Sequence, residues 1–415
     1  MMRRPAPARS DGARTRQPST PARSDAAGTS RPSALALATA GIGVVGTAYG
    51  MARYGYGLLL PDIRRDYGLS TAALGAIAAG SYAAYLAGSI AVGALAGRVG
   101  LRSLVLAGGA SAVAGMTLAG LSSGPGLLVA GVLVAGVSAA FALPPFIDAA
   151  EAYVAPERRA RTLGSISSGT GWGVALAAPL AIAAGSAWRS AWLAFAVVGV
   201  LATAWAVHVL PRGARGATAC ELPRLRLGWF VCPRSGPLLA GALLVGLGAS
   251  LYWTFAVDHL VTRGALDRSG GRLFLILVGV ASVAGTGAGG LVERLGSRLA
   301  FALLSWALGL SLALLALAAE APVLAIASGL LFGSTYNLLV AIQTLWSVQV
   351  FADRPGTGVA AVMFILGGGL LIGPLAAGPL TAVAGLEGVF AGAAALLVLT
   401  ALLAPREPVT ATAPA

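Results

Sequence analysis

Apolar stretches of about twenty residues recur from Ala34 to Ala404 with almost no charge inside them. Each is long enough to cross a hydrocarbon core of ~30 Å as a helix. Twelve such spans can be drawn, at 34–60, 71–95, 103–121, 125–147, 163–185, 190–210, 237–260, 273–292, 299–319, 323–349, 359–384 and 388–404. Only 10% of residues are charged and the mean hydropathy is +0.83, too apolar for a water-exposed surface. The pattern predicts an all-α polytopic membrane protein.

The net charge of +13 would suggest a nucleic-acid partner in a soluble chain, so the basic residues must first be placed against the membrane. All 28 are Arg. With the N-terminus inside, 21 of them fall in the inner tails and connections and six in the outer loops, at Arg64, Arg65, Arg189, Arg263, Arg268 and Arg272. The positive-inside rule therefore predicts two cytoplasmic termini in the cytoplasmic membrane, and no nucleic acid is needed to explain the charge. Residues 1–33, rich in Arg, Pro, Ser and Ala and carrying "PARSD" twice, read as a disordered tail; 405–415 form a second tail. Arg3 and Arg4 do not make an export signal, because the first apolar run starts about thirty residues later and is too long for a signal core. Cys220 and Cys232 share one polar connection and read as free thiols in a reducing compartment.

The connection 211–236, with Pro211, Pro223, Pro233 and five Arg, and with Pro237 just after it, separates six spans from six. It reads as a linker between bundles 34–210 and 237–404. Two short patterns repeat at an offset of 196 residues. "GALAGRVGLRS" (Gly93 to Ser103) matches "GGLVERLGSRL" (Gly289 to Leu299), and "VAPERRART" (Val154 to Thr162) falls on "VFADRPGTG" (Val350 to Gly358). Two matches in one register predict a six-helix pseudo-repeat. In the first pattern, a leading Gly would let two helices approach closely. A second Gly would permit a tight reversal, and the Arg would meet head groups or helix-end carbonyls.

On these residues the chain resembles the major facilitator superfamily, whose loop between helices 2 and 3 carries Gly-x-Leu-Ala-Asp-Arg-x-Gly-Arg-Arg, with a weaker copy between helices 8 and 9. The match uses Gly93, Leu95, Arg98, Gly100 and Arg102, then Glu293, Arg294, Gly296 and Arg298. "ARYGYGLLLPDIRRDYGLS" (Ala52 to Ser70) is similar to the first helix and loop of a poorly characterised bacterial branch. The resemblance implies two six-helix halves with a central cavity lined by helices 1, 4, 7 and 10, and a cytoplasmic gate at the repeated motif. Gly97 stands where the family has Asp, and Val132 stands at the place of the family's helix 4 Arg. The Gly-x-x-x-Gly-Pro run that exporters carry in helix 5 is "GVALAAPLA" here; it is intact only in span 11, as Gly369, Gly373 and Pro374.

A charge inside a span is costly unless it faces protein or water, so such residues lead the search for function. Arg53 lies two thirds of the way across span 1, with Tyr49 and Tyr56 on its face if the helix is regular. Two readings stand: snorkelling to the interface, or a cationic anchor in the cavity. The cavity residues implied by the resemblance are Tyr49, Arg53, Tyr252, Trp253, Phe255, Asn337 and Gln343. Asp62 and Asp258, equivalent in the repeat register, sit at the outer mouth and are the candidates for proton coupling. The small residues of span 2 (Ala76, Gly80, Ala84, Gly88) and span 5 (Ser165, Gly169, Gly173) allow close helix packing.

With no Lys, a Gly-x-x-x-x-Gly-Lys phosphate loop is impossible, so energy must come from a gradient. The expected function is that of a monomeric secondary transporter of a small molecule, proton-coupled and leaning to export of a drug-like compound or metabolite. It needs no cofactor or metal, and membrane lipid is its surroundings. Uptake or uniport by the same fold is the alternative. A membrane-embedded transferase holding Mg²⁺ on Asp148 and Glu151 is a further one, and a sensor a third.

Overall fold

The computed structural model describes residues 32–95, 98–212, 234–284, 288–318, 321–352 and 354–405. Cys220, Cys232, Gly97, the tail 1–31 and most of the 211–236 connection lie outside them. In chain order the helices are α1 (Ala34–Tyr67), α2 (Thr71–Leu95), α3 (Leu101–Gly120), α4 (Pro125–Tyr153), α5 (Pro156–Ala184), α6 (Trp188–Val209) and α7 (Ser235–Thr262). The next are α8 (Arg268–Ala284 and Ala288–Leu295), α9 (Ser297–Leu317) and α10 (Pro322–Val350). Pro355–Thr400 is two helices meeting at Gly385, whose φ of 65° is not helical; residues before it are α11 and those after it α12.

Ten helices among the described residues are long and apolar enough to cross a membrane. With α8 in its two pieces and α11 divided from α12, the order agrees with the twelve expected spans. Below, the two faces of the bundle are called the Asp62 end and the Arg98 end.

Local chemistry explains the helix ends. Ser33 caps α1 by accepting from the Ala36 N–H at 3.1 Å, and Gly68 at φ 62° closes it in the left-handed conformation that a side chain disfavours. Pro125, Pro156 and Pro322 open helices at positions whose N–H has no helical partner to lose. Inside α4, Pro144 withholds a donor and the chain passes through the tighter turn Ala139–Phe141.

Two expected boundaries move. Span 1 does not end at residue 60: α1 continues past Pro61 to Tyr67, so Arg64 and Arg65 belong to a helix and not to a loop. Span 5 begins at Pro156, so most of "EAYVAPERRAR" is helical and only Val154 and Ala155 connect α4 to α5. Charges beside these spans disguise helix as connection, because their cost is met by tertiary partners that hydropathy does not see.

The middle of α1 departs from regular geometry. Gly46–Arg53 is a π-helix, and the Tyr54 N–H reaches the Tyr49 carbonyl at 3.0 Å, five residues back. Here α1 crosses α5 at backbone contact. A methyl group at Gly173 would stand 2.1 Å from the Gly46 carbonyl oxygen, and one at Gly50 would stand 2.5 Å from Gly173. The small stripe of span 5 is therefore the seat on which the irregular turn rests. Gly173→Val should lower the thermal midpoint by several degrees, through about 1–3 kcal/mol of overpacking, while Gly126→Val, which faces open space, should leave it within about a degree. Differential scanning fluorimetry on the two purified variants checks this.

Candidate functional site

Arg53 ends the π-turn, and the extra residue in that turn swings it away from the position a regular helix would give. Its side chain is buried, with 6% of the residue exposed, so it does not snorkel to the interface. The guanidinium carbon stands 4.5 Å from the Tyr82 ring centre, 4.4 Å from Tyr85 and 5.6 Å from Tyr49. Ring faces are electron-rich, and each such contact contributes up to about 2 kcal/mol when water is excluded. Aromatic faces do not accept every N–H, however. Nε and Nη2 of Arg53 have no hydrogen-bond partner.

Beside Arg53 lies a narrow cavity with about 10 Å³ of free space, enough for one water. Tyr54, Ser81 and Tyr82 line it from the first half, Trp253 and Thr254 from the second. Val132 of α4 also faces it. Tyr54 stacks on Trp253 across the seam with ring centres 4.1 Å apart, and the Trp253 indole N–H is unpartnered. The backbones of α1 and α7 touch just beyond, where a methyl group at Gly57 would be 2.0 Å from the Trp253 carbonyl oxygen.

At the Asp62 end the halves are joined by two crossed ion pairs. Arg64 of α1 grips Asp258 of α7 with both Nε (2.9 Å) and Nη2 (2.7 Å), and Asp258 is 0% exposed. In return Arg272 of α8 donates from Nη2 to Asp62 of α1 at 2.9 Å and to the Gly185 carbonyl at 2.7 Å. Arg65 and Arg268 stand 3.5 and 3.7 Å from the same Asp62. Asp267 aims α8 at this cluster by capping its first turn. Hydrogen bonds from the Ser269 hydroxyl and, at 2.7 Å, the Gly270 N–H hold its carboxyl below the usual carboxylate range. Farther out, Asp66 takes the Trp188 indole N–H at 2.8 Å and Arg189 at 3.0 Å, and Arg263 pairs with Glu387.

Other close approaches between the halves run from this end to mid-depth: Gly75 to Pro374, Gly378 to Ala72, Gly171 to Gly279 and Gly367 to Leu86. The Arg98 end differs. Methyl groups at Gly93, Gly290 and Gly356 would meet nothing within 4 Å. Arg98, Glu293, Arg294 and Arg298 are exposed, and Arg98 donates only to its own helix, at the Ala94 carbonyl, 3.3 Å away. Seam contacts and ion pairs thus join the two half-bundles at the Asp62 end, while the described motif glycines at the Arg98 end make no close approach.

The sequence profile described as Major Facilitator Superfamily matches residues 42–300. The chain belongs to that superfamily. It is 28% identical over 256 residues to a chloramphenicol resistance protein of Streptomyces lividans, an alignment covering 60% of this chain and 64% of that protein. The chain thus spans a little under two thirds of this curated relative's length. The solved nucleoside transporter NupG, in a mutant form, superposes with a TM-score of 0.72 at 11% identity over 88% of this chain and 98% of its own. A bacterial homologue of the human lysosomal transporter Spinster gives 0.65 at 16% identity over 90% and 95%. At these identities the likeness to both structures is one of fold.

Within the superfamily frame, the expected cavity residues divide. Tyr49, Arg53 and Trp253 come together at the seam, and Phe255 is fully buried near Gly75 of α2. Tyr252 turns inward to its own half, sharing a 2.9 Å hydrogen bond with Ser328 and stacking on Phe332 at 3.7 Å. Gln343 is fully buried with both amide atoms unpartnered, and a methyl group at Gly241 would stand 3.5 Å from its nitrogen, beside Phe301 and Thr400. It is not brought to Arg53; Asn337 is half-buried.

Tyr56 lines the same cavity as Arg53, and its hydroxyl donates to the Leu74 carbonyl at 3.1 Å. Two readings of residues are corrected. Gly93 mediates no close approach here, since the Arg98 end is splayed. Gly100 is an ordinary helix cap at φ −66°; only Gly296, at φ 75°, needs the freedom expected of the second motif glycine. Sequence reasoning misses Tyr82 and Tyr85 altogether. The signal is present in "SYAAYLAG", two tyrosines three apart at mid-span and far from either interface, where an aromatic belt would put them.

Removing one partner of the Arg64–Asp258 pair strands the other charge, which costs several kcal/mol when the survivor is buried. Arg64→Ala should lower the melting point more than Asp258→Ala, because it strands the fully buried Asp258, whereas Arg64 left alone is 24% exposed and reaches water. The double variant should melt higher than the sum of the single losses predicts, a coupling measurable by a thermal-melt double-mutant cycle.

Proposed function

We propose that the protein is a secondary active transporter that moves a small organic molecule across the cytoplasmic membrane by alternating access, coupled to protons. The observation that carries this reading is the buried, unpartnered guanidinium edge of Arg53. It stands in a cavity at the seam of two half-bundles that close over one end and part at the other. Such a site exposes itself to one side at a time if the halves rock. The Arg-rich tail and inner connections make the Arg98 end cytoplasmic, so the Asp62 end, where every described Arg outside the cavity pairs with an acid, faces outward.

The ion pairs suggest how protons enter. Opening the outer end separates Asp258 from Arg64 and Asp62 from Arg272. A carboxylate losing its arginine in a low-dielectric seam is relieved by taking a proton, which couples opening to protonation. Export is favoured by the partial likeness to a chloramphenicol resistance protein. No catalytic step is assigned: Glu151 gives its backbone carbonyl to Arg159 at 2.8 Å, and no cluster of three metal-ligating side chains occurs among the described residues. The carrier works as a monomer, and its partners are the substrate and surrounding lipid.

Reconstitution in liposomes with an internal pH dye tests this. Chloramphenicol, uridine, benzylammonium and nicotinate serve as neutral, cationic and anionic probes. Protein-dependent proton movement is expected with at least one, reduced at least about tenfold by Asp258→Asn or Asp62→Asn, a loss of about 1.4 kcal/mol in coupling. Proton movement at the wild-type rate in both variants would remove these acids from coupling, and none with any probe would contradict proton-coupled transport.

A further inference from the structure

Among the described residues no carboxylate stands within ion-pair distance of Arg53, although every other described arginine at the Asp62 end has one. Its two free donors are not an arbitrary pair. Nε–H and the adjacent Nη2–H lie parallel on one edge of the guanidinium, spaced to match the two oxygens of a carboxylate. The same molecule shows what that edge takes. Arg64 uses the same two atoms, Nε and Nη2, to hold both oxygens of Asp258 at 2.9 and 2.7 Å. In Arg53 the edge is buried and neither atom has a hydrogen-bond acceptor.

The rest of the cavity completes the specification. It contains one positive charge and no acid, so it has no counter-ion for a cation and neutralises one negative charge only. Its walls are rings and small side chains: Tyr54 stacked on Trp253, Tyr82, Ser81, Ala78 and Val132. The unpartnered Trp253 indole N–H adds one neutral donor, and Thr254 lines the cavity beside it.

We propose that Arg53 is the carboxylate-binding residue of the carrier, and that its substrates are small organic monocarboxylates with a flat or apolar body. The inference rests on the transporter reading and sharpens it to a substrate class. The carboxylate lies along the Nε/Nη2 edge, and the body enters between Tyr54 and Trp253, whose stack must part to admit it. Substrate thus supplies the counter-ion that the fold withholds, and an empty carrier keeps a buried charge that favours filling the site.

Binding is read without transport, by isothermal titration calorimetry on the detergent-solubilised full chain at fixed ionic strength. The probes are sodium benzoate, phenylacetate, hexanoate and nicotinate, against benzamide, benzylammonium and sodium chloride. Saturable binding is expected for at least one carboxylate, with its neutral or cationic counterpart at least about tenfold weaker. Arg53→Lys should weaken that carboxylate about tenfold or more, since an ammonium cannot present two parallel donors, and Arg53→Met should abolish it. The ligand-free Arg53→Met protein should melt at or above the wild-type temperature, because a lone buried cation has been removed, which shows that lost binding is not lost folding.

The proposal is overturned if none of the four carboxylates binds saturably, if benzamide binds as well as benzoate, if chloride at equal concentration competes equally, or if Arg53→Met binds like wild type. The comparison of benzoate with benzamide needs no variant. A carboxylate that binds by these criteria but drives no flux in liposomes contradicts the transport reading and leaves the site standing. Flux of another probe without carboxylate preference does the reverse.

Discussion

A charge inside a bilayer must be met by protein, because no water is there to meet it. The charged groups at the Asp62 end obey this rule with two crossed ion pairs, each joining one half-bundle to the other. Those pairs hold the halves together at that end, and the close glycine contacts of α1 with α7, α2 with α11 and α5 with α8 follow from the closure. Arg53 breaks the rule. It is surrounded by tyrosine rings that lower its cost without cancelling it, and two of its donors face no acceptor. The charges of the Asp62 end are paired and the buried edge of Arg53 is not, which is why the proposed site is placed at Arg53 and not at the ion pairs.

The same site explains a departure from the superfamily pattern. Val132 occupies the place where the family resemblance puts an Arg in helix 4, and Val132 faces the cavity that Arg53 enters from α1. In this chain the cavity's cation comes from α1. The π-turn Gly46–Arg53 carries Arg53 to the tyrosine rings of α2, and the Gly46, Gly50 and Gly173 crossing backs that turn.

Spans and repeat were legible in the sequence because hydropathy over twenty residues is a property of the chain itself. The equivalence of Asp62 and Asp258 was legible for the same reason. Their partners were not: Arg64 and Arg272 are not equivalent in the repeat, so no register finds them, and α1 had to run on through Pro61 to deliver Arg64. Tyr82 and Tyr85 stay hidden because nothing in the periodicity of α1 says which neighbouring helix faces Arg53. The repeated glycine motif was legible as a pattern but not as a contact. A methyl group at Gly93 would meet nothing within 4 Å; the pattern marks a connection and does not say how closely its flanking helices pack.

The central claim is that closure at the Asp62 end and separation at the Arg98 end are two faces of one rocking motion. Paired spin labels on an otherwise cysteine-free chain test it, one pair at Ser70 and Ser269 and the other at Ser103 and Leu299, measured by pulsed dipolar spectroscopy with and without Asp258→Asn. The account predicts that loosening the ion pair lengthens the first distance while shortening the second, in the same populations. A first distance that lengthens with the second unchanged, or two distances that lengthen together, would contradict it.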